Sequence, residues 1–263
     1  MSGLLAGKRG LVMGVANERS IAWGIARSMA AAGADLAFTY QGDAFGSRLA
    51  PLAASVGSDF MVDVDVTDDA SLDKAFEQLS AHWPTMDFLV HAIAFSDKSE
   101  LTGRFLNTSR ENFKQTMDIS AYSFLEVARR AHPLMVENGG TLMTLTYQGS
   151  NTVVPNYNVM GVAKAALESA TRYLANDLGP EGIRVNAISP GPMKTLAGAA
   201  IGGARKTYKH TDQNAPLRSN ATLDAVGGTA VYLASDAGAC TTGEIIHVDG
   251  GYHILGMPQG ENL

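Results

Sequence analysis

The chain has 263 residues, 46% hydrophobic and only 17% charged, which suits a large buried core and leaves little for long disordered tails. A formal net charge of −6 gives no basic footprint for nucleic acid and argues against an anionic membrane surface, and no apolar run reaches the roughly 20 residues that span a bilayer. The single cysteine, Cys240, excludes an intrachain disulfide and fits a reducing cytosol; residues 1–9 lack the apolar core of a signal peptide, and the six histidines show no metal-ligand spacing.

Strand and helix patterns then alternate along the chain. A short apolar strand over 9–13 ends at Gly14. A helix follows over 21–32, with Ile21, Ile25 and Met29 on one face, Ser20 as its N-cap and Gly33 closing it. Strand 35–40, helix 43–55, strand 60–64, helix 69–81 and strand 88–92 come next. A long helix over 110–136 is expected to stop at Asn138-Gly139-Gly140. Strand 141–146, helix 157–178, strand 184–188, helix 223–235 and strand 244–248 complete the series. About seven strands alternating with helices predict an α/β fold. Right-handed crossovers make it a Rossmann-like, doubly wound parallel sheet with helices on both faces, a single domain over 1–263. The main irregular stretch is the Gly/Ala-rich segment 190–203, within a loop of about 190–210. It leaves the C-terminal end of a strand, where a substrate-covering lid is expected.

Chemistry is expected at those same strand ends. Gly14 allows a sharp turn and a close backbone approach to a pyrophosphate, and the following helix aims free N–H groups at it. Gly14 and Gly24 are too far apart for the ordinary G-x-G-x-x-G spacing, so this loop alone reads equally as a plain strand–turn–helix. Three later strand ends add to it. Asp65-Val66 offers a carboxylate and an amide to an adenine ring. His91-Ala92-Ile93-Ala94 lies at the switch point of the sheet, and Asn186-Ala187-Ile188-Ser189-Pro190-Gly191-Pro192 ends the sixth strand. Tyr157 and Lys164, seven residues apart, are expected on nearly one helix face, the lysine's charge lowering the phenol's pKa. As an isolated pair they read better as a buried aromatic and a solvated lysine.

The run Pro155-Asn156-Tyr157-Asn158-Val159-Met160-Gly161-Val162-Ala163-Lys164-Ala165 resembles the active-site helix of the bacterial enoyl-acyl-carrier-protein reductases. These are a divergent branch of the short-chain dehydrogenase/reductase family. Ordinary members of that family place the lysine four residues after the tyrosine; this branch uses seven, as here. Gly14-Val15-Ala16 with Ser20-Ile21-Ala22-Trp23-Gly24, Phe38-Thr39-Tyr40-Gln41, Ala187-Ile188-Ser189-Pro190-Gly191-Pro192 and His247-Val248-Asp249-Gly250-Gly251 are similar to the branch as well, so the likeness covers essentially the whole chain.

The resemblance implies reduction of the trans-2 double bond of an enoyl thioester on acyl carrier protein, with NADH, by a cytoplasmic homotetramer. It carries catalytic roles onto Tyr147, Tyr157 and Lys164. Cofactor contacts carry over to Gly14, Ser20, Ile21, Gln41, Asp65, Val66, Ile93 and Lys164, and to Met193, Lys194, Thr195, Leu196 and Ala197; a substrate contact carries over to Ser96. Ala92-Ile93-Ala94 departs from the Ser-Ile-Gly of many members, and the Ala94 methyl narrows the pocket beside the nicotinamide. Lys194, Arg205, Lys206 and Lys209 face either the acidic carrier or solvent. The alternative activity is that of a short-chain dehydrogenase acting on an alcohol or ketone, which calls for a lysine at position 161, where this chain has glycine.

Overall fold

The computed structural model describes residues 3–199 and 202–262. One seven-stranded sheet organises them: β1 (Arg9–Met13), β2 (Asp35–Tyr40), β3 (Phe60–Asp63), β4 (Phe88–His91), β5 (Gly140–Leu145), β6 (Ile183–Pro190) and β7 (Ile245–Val248). Their order is β3-β2-β1-β4-β5-β6-β7, and every pair is parallel. The chain therefore winds outward from β1 in both directions, and the gap between the ends of β1 and β4 is the switch point.

The strands are nearly continuous apolar runs because both faces are covered. Helices α1 (Ile21–Ala31), α2 (Asp43–Ser55) and α10 (Leu223–Ala234) pack on one face over Phe38, Phe88, Val90 and Ile188. Helices α3 (Asp69–His82), α6 (Ser123–Met135) and α7 (Val159–Leu178) cover the other over Leu11, Leu89, Leu142 and Val185. In α1 the apolar face identified from its spacing is the buried one: Ile25 and Met29 are fully enclosed, with Trp23 beside Phe38.

Two elements differ from the sequence expectation. The long helix over 110–136 is divided into α5 (Arg110–Met117), a π-helical turn over Asp118–Tyr122, and α6. The wider turn rotates Ser120 and Ser123 toward the end of β4, an adjustment that apolar periodicity does not encode. The segment after β6 is also more ordered than a lid without structure. It holds a short helix α8 (Leu196–Ala199), and it runs on into α9 (Ala204–Asn214). Helix α9 is almost entirely polar, so it gives no apolar stripe to detect; Asn220 fastens it by donating to the Tyr208 carbonyl at 3.0 Å. Residues 200 and 201 of the expected lid lie outside the described residues, as do residues 1 and 2 of the N-terminal stretch. A further short helix, α4 (Lys98–Leu101), leads from β4 toward α5.

Candidate active site

The strand ends at the switch point form the phosphate end of a crevice. Gly14 has φ +92°, and a Cβ there would stand 2.1 Å from the Ala92 carbonyl oxygen, so both conformation and space demand glycine. Ser20 occupies the N-cap position of α1, but it does not cap the helix. Its hydroxyl turns back to donate to the Asn17 carbonyl, which stiffens the loop and leaves the first turn of α1, beginning at Ile21, without a side-chain cap. Such a turn offers N–H groups to an anion. Opposite it, a pocket of about 190 Å³ is lined by Arg19, Met193, Lys194, Thr195, Tyr208 and the start of α10. Met193, Lys194 and Thr195 are thus brought to the loop after β1, and Arg19 joins them, a cation the sequence reading passed over. Thr195 Oγ1 accepts from the Gly198 amide at 2.9 Å, while Leu196 is half exposed and Ala197 lies in α8. A larger depression of about 630 Å³, lined by Asp97, Glu100, Ser109, Asn112 and neighbours, contains none of Gly14, Tyr157 and Lys164.

At the other side of the switch point Gln41 and Asp65 meet. The Asp65 carboxylate accepts from the Thr67 hydroxyl at 2.7 Å and the Thr67 amide at 2.9 Å. These bonds from Thr67, reinforced by Gln41, hold its pKa below the usual carboxylate range. Val66 and Ile93 pack against the core below. The Ser96 hydroxyl donates toward Asn112 at 3.3 Å and accepts from Thr116 at 2.9 Å, which ties it to α5.

Tyr147, Tyr157 and Lys164 converge around the end of β5. Helix α7 begins at Val159, so Tyr157 lies in the turn before it, between Asn156 and Asn158, both at positive φ (61° and 41°). This corrects the expectation of two side chains on one helix. Asn156 and Asn158 tolerate that conformation, and each is tied down: Asn156 Nδ2 donates to the Gly202 carbonyl at 2.8 Å, and Asn158 Nδ2 to the Glu100 carbonyl at 3.3 Å. Tyr157 is buried and meets Tyr147 edge to face, ring centroids 5.1 Å apart. Gly149 and Gly161 make room. A Cβ at 149 would lie 2.4 Å from the Tyr157 ring, and one at 161 would lie 2.5 Å from the Gly149 carbonyl oxygen. A lysine four residues after the tyrosine therefore has no space in this backbone.

Electrostatics sharpen the division. Burial raises the Tyr157 phenol well above its ordinary value, with Tyr147 and Glu168 adding to the effect. The expected lowering by Lys164 is overridden, and the phenol is a donor at neutral pH. Tyr147 is likewise pushed up to about 12, by burial and then by Tyr252 and Asp249. Lys164 is buried, its Nζ donates to the Leu145 carbonyl at 2.7 Å, and burial lowers it to about 8 against an upward pull from Glu168.

Beneath this group lies a scaffold that sequence reasoning passed over. His91 is fully buried between Thr144 (Nδ1–Oγ1, 3.2 Å) and Ser123 (Nε2–Oγ, 2.9 Å). Ser123 gives its own proton to the Ile119 carbonyl and Thr144 to the His91 carbonyl, so either hydroxyl can accept from the imidazole N–H. Burial, then Lys164, depresses the imidazole to about 3, so it is neutral. Ser120 clasps Phe95 twice, accepting from its amide and donating to its carbonyl, both at 3.0 Å. The π turn thereby fixes the backbone from His91 to Phe95 at the floor of the crevice. Among the described residues no group of three His, Cys, Asp or Glu side chains could hold a metal, and no helix is long and apolar enough to cross a membrane.

Residues 14–253 match the family described as "Enoyl-(Acyl carrier protein) reductase". The chain is 58% identical over 263 residues to the "Enoyl-[acyl-carrier-protein] reductase [NADH] 2" of Rhizobium meliloti (strain 1021), covering 100% of this chain and 98% of that one. Among solved structures, the enoyl-(acyl-carrier-protein) reductase of Anaplasma phagocytophilum, in complex with NAD, is 52% identical with a TM-score of 0.95 and 98% of both chains covered. FabI from Candidatus Liberibacter asiaticus is 54% identical with a TM-score of 0.96, over 98% of this chain and 100% of that one.

Proposed function

The chain belongs to the enoyl-(acyl carrier protein) reductase family, and from that membership we propose that the crevice at the β1–β4 switch point seats NADH against an enoyl thioester, with Tyr157 at the reacting carbonyl. The protein is an NADH-dependent enoyl-acyl-carrier-protein reductase, an oxidoreductase that saturates the trans-2 double bond in fatty-acid elongation. The observation that carries the site assignment is the turn before α7. It holds Tyr157 as a buried donor, places Lys164 in the second turn of α7, and closes position 161 to the lysine that a ketone-reducing relative needs.

The residues present fit the cofactor. Gly14 lets the end of β1 turn tightly against Ala92, the uncapped start of α1 would face a pyrophosphate, Gln41 and Asp65 would flank the adenosine end, and Lys164 would offer an ammonium to the nicotinamide ribose. When bound, the dihydronicotinamide supplies the hydride. Tyr157 donates to the thioester oxygen, where negative charge grows as the double bond is reduced at its β-carbon; a donor aimed at that oxygen favours the enolate over the ground state. Tyr147 braces the Tyr157 ring edge-on and helps to exclude water.

The acyl carrier is received, on this reading, at the exposed basic face of α9, where Arg205, Lys206 and Lys209 stand beside the segment after β6; Lys194 lies over the Tyr208 ring instead, 4.5 Å from its centroid. Exposed Phe113, Tyr122 and Tyr173 on α5, the π turn and α7 support assembly into a homotetramer. A cytoplasmic location follows from the carrier-linked substrate.

Turnover of enoyl thioesters against ketones, each with NADH and NADPH, tests the reading. Enoyl reduction with NADH should give the higher kcat/KM. No Arg or Lys follows β2 until Arg48, and Asp63 and Asp65 stand nearby, so a 2′-phosphate finds no partner. Preference for a ketone or for NADPH would overturn it.

A further inference from the structure

Lys164 carries a positive charge into a place that disfavours one. It is buried, and its hydrogen bond runs to a neutral carbonyl, that of Leu145. The groups that face it are few. His91, from the end of β4, is fully buried and neutral; Tyr157, in the turn before α7, is held protonated by burial. Among the described residues, Glu168 is the charged side chain that acts on it.

Glu168 is itself buried, one turn along α7 from Lys164, so both side chains leave the same face of the helix. Its Oε1 accepts from the Thr146 hydroxyl at 2.6 Å. Thr146 follows Leu145, whose carbonyl holds Lys164, and precedes Tyr147, which braces Tyr157. Three consecutive residues at the end of β5 thus engage three functional positions at and before α7. A buried carboxylate is costly unless it answers a charge. His247, from β7, also feels Glu168, but burial lowers that imidazole, so it is not the charge being answered.

We propose that Glu168, oriented by the Thr146 hydroxyl, is a positioning residue for the reduction: its carboxylate is the counter-charge that keeps Lys164 an ammonium inside the site, and so a donor for the cofactor ribose. This rests on the reading of Lys164 as the ribose-binding group. A merely structural tie between α7 and β5 would affect stability and leave the titration of Lys164 in place.

The test uses the cofactor-free protein with lysine labelled by carbon-13 at Cε, the Lys164 signal being identified by its loss in Lys164→Arg. In Glu168→Gln, which keeps an acceptor for Thr146, the Lys164 midpoint should fall by about one pH unit or more. Thr146→Val should move it in the same direction by a smaller step, because the carboxylate is kept but no longer aimed. Binding of NADH, measured separately by fluorescence, should weaken with rising pH at a correspondingly lower pH in Glu168→Gln. An unmoved midpoint in Glu168→Gln overturns the proposal. If that variant does not fold, an unmoved midpoint in Thr146→Val does so. A shifted midpoint with unchanged NADH binding overturns the link to the cofactor. Enoyl turnover by the unmodified protein is scored independently, so a titration shift without turnover counts against the enzymatic reading and not against the role of Glu168.

Discussion

Tyr157 and Lys164 sit close together but answer to different partners, and single substitutions separate them. Lys164→Ala should weaken NADH binding, since it removes a charged donor. Tyr157→Phe should leave NADH affinity nearly intact and slow enoyl reduction by roughly 10–1000-fold, as expected for the loss of one donor to a developing oxyanion. Cofactor titration and steady-state kinetics on both variants check this; the reverse pattern would exchange the two roles.

His91 makes a second residue-scale prediction. Its imidazole is depressed to about 3 in the fold, whereas an unfolded chain titrates near 6.5. The unfolded state therefore takes up the extra proton first. The stability carried by neutral His91 is complete above about pH 6.5 and is lost as pH falls from there toward 3, at about 1.4 kcal/mol per pH unit. His91→Gln cannot titrate. It should be less stable than the parent near neutrality yet lose stability less steeply between about pH 6.5 and 4.5. Denaturant unfolding across that range would show parallel slopes if the idea were wrong. At this scale the sequence was informative wherever the spacing was specific: Gly14, Tyr157 and Lys164 stood out by position. Ser120 and Ser123 did not, because each acts through a partner far away in the chain, and Gly149 did not, because its role lies in the closeness of its backbone to the Tyr157 ring. Glu168 alone left a trace, lying four residues after Lys164 on a helix.

The elements tell the same story in another form. All seven strands and the helices packed on the sheet were legible from apolar periodicity, since burying a face is what writes that pattern. The π turn was not, because it moves hydroxyls by one residue's rotation without altering the apolar stripe. Helix α9 was not either, having no apolar stripe at all. The segment after β6 is the element whose behaviour should change on binding. Asn156 holds Gly202, and Thr195 holds Gly198, so the ends of this segment are already fastened to the active-site turn and to the pocket beside Arg19. Amide hydrogen exchange over 193–199 should slow further when NADH and an acyl thioester are both present, as closure excludes water from the hydride path. Equal protection in free and ternary states would refute a covering role.

For the whole molecule, the parallel order of the sheet puts every strand's C-terminal end on one rim, and seven segments from distant parts of the chain meet there. Assembly is the remaining property at this scale. Aromatic side chains on α5, the π turn and α7 face outward, an arrangement that favours burial against further copies. Sedimentation at micromolar concentration should find a tetramer, and Tyr173→Glu, at an exposed site on α7, should shift it toward smaller species. A monomeric parent would contradict this.

The way Leu145, Thr146 and Tyr147 engage Lys164, Glu168 and Tyr157 has a consequence for redesign. Thr146 and Tyr147 directly follow β5, Tyr157 is held in the turn before α7, and Lys164 and Glu168 lie on α7, so the groups proposed for the reaction are mounted apart from the segment after β6. Changes in 193–199, with Thr195 and Gly198 retained to keep their bond, would therefore reach the pocket beside Arg19 without touching the bonds that hold Lys164 and Glu168.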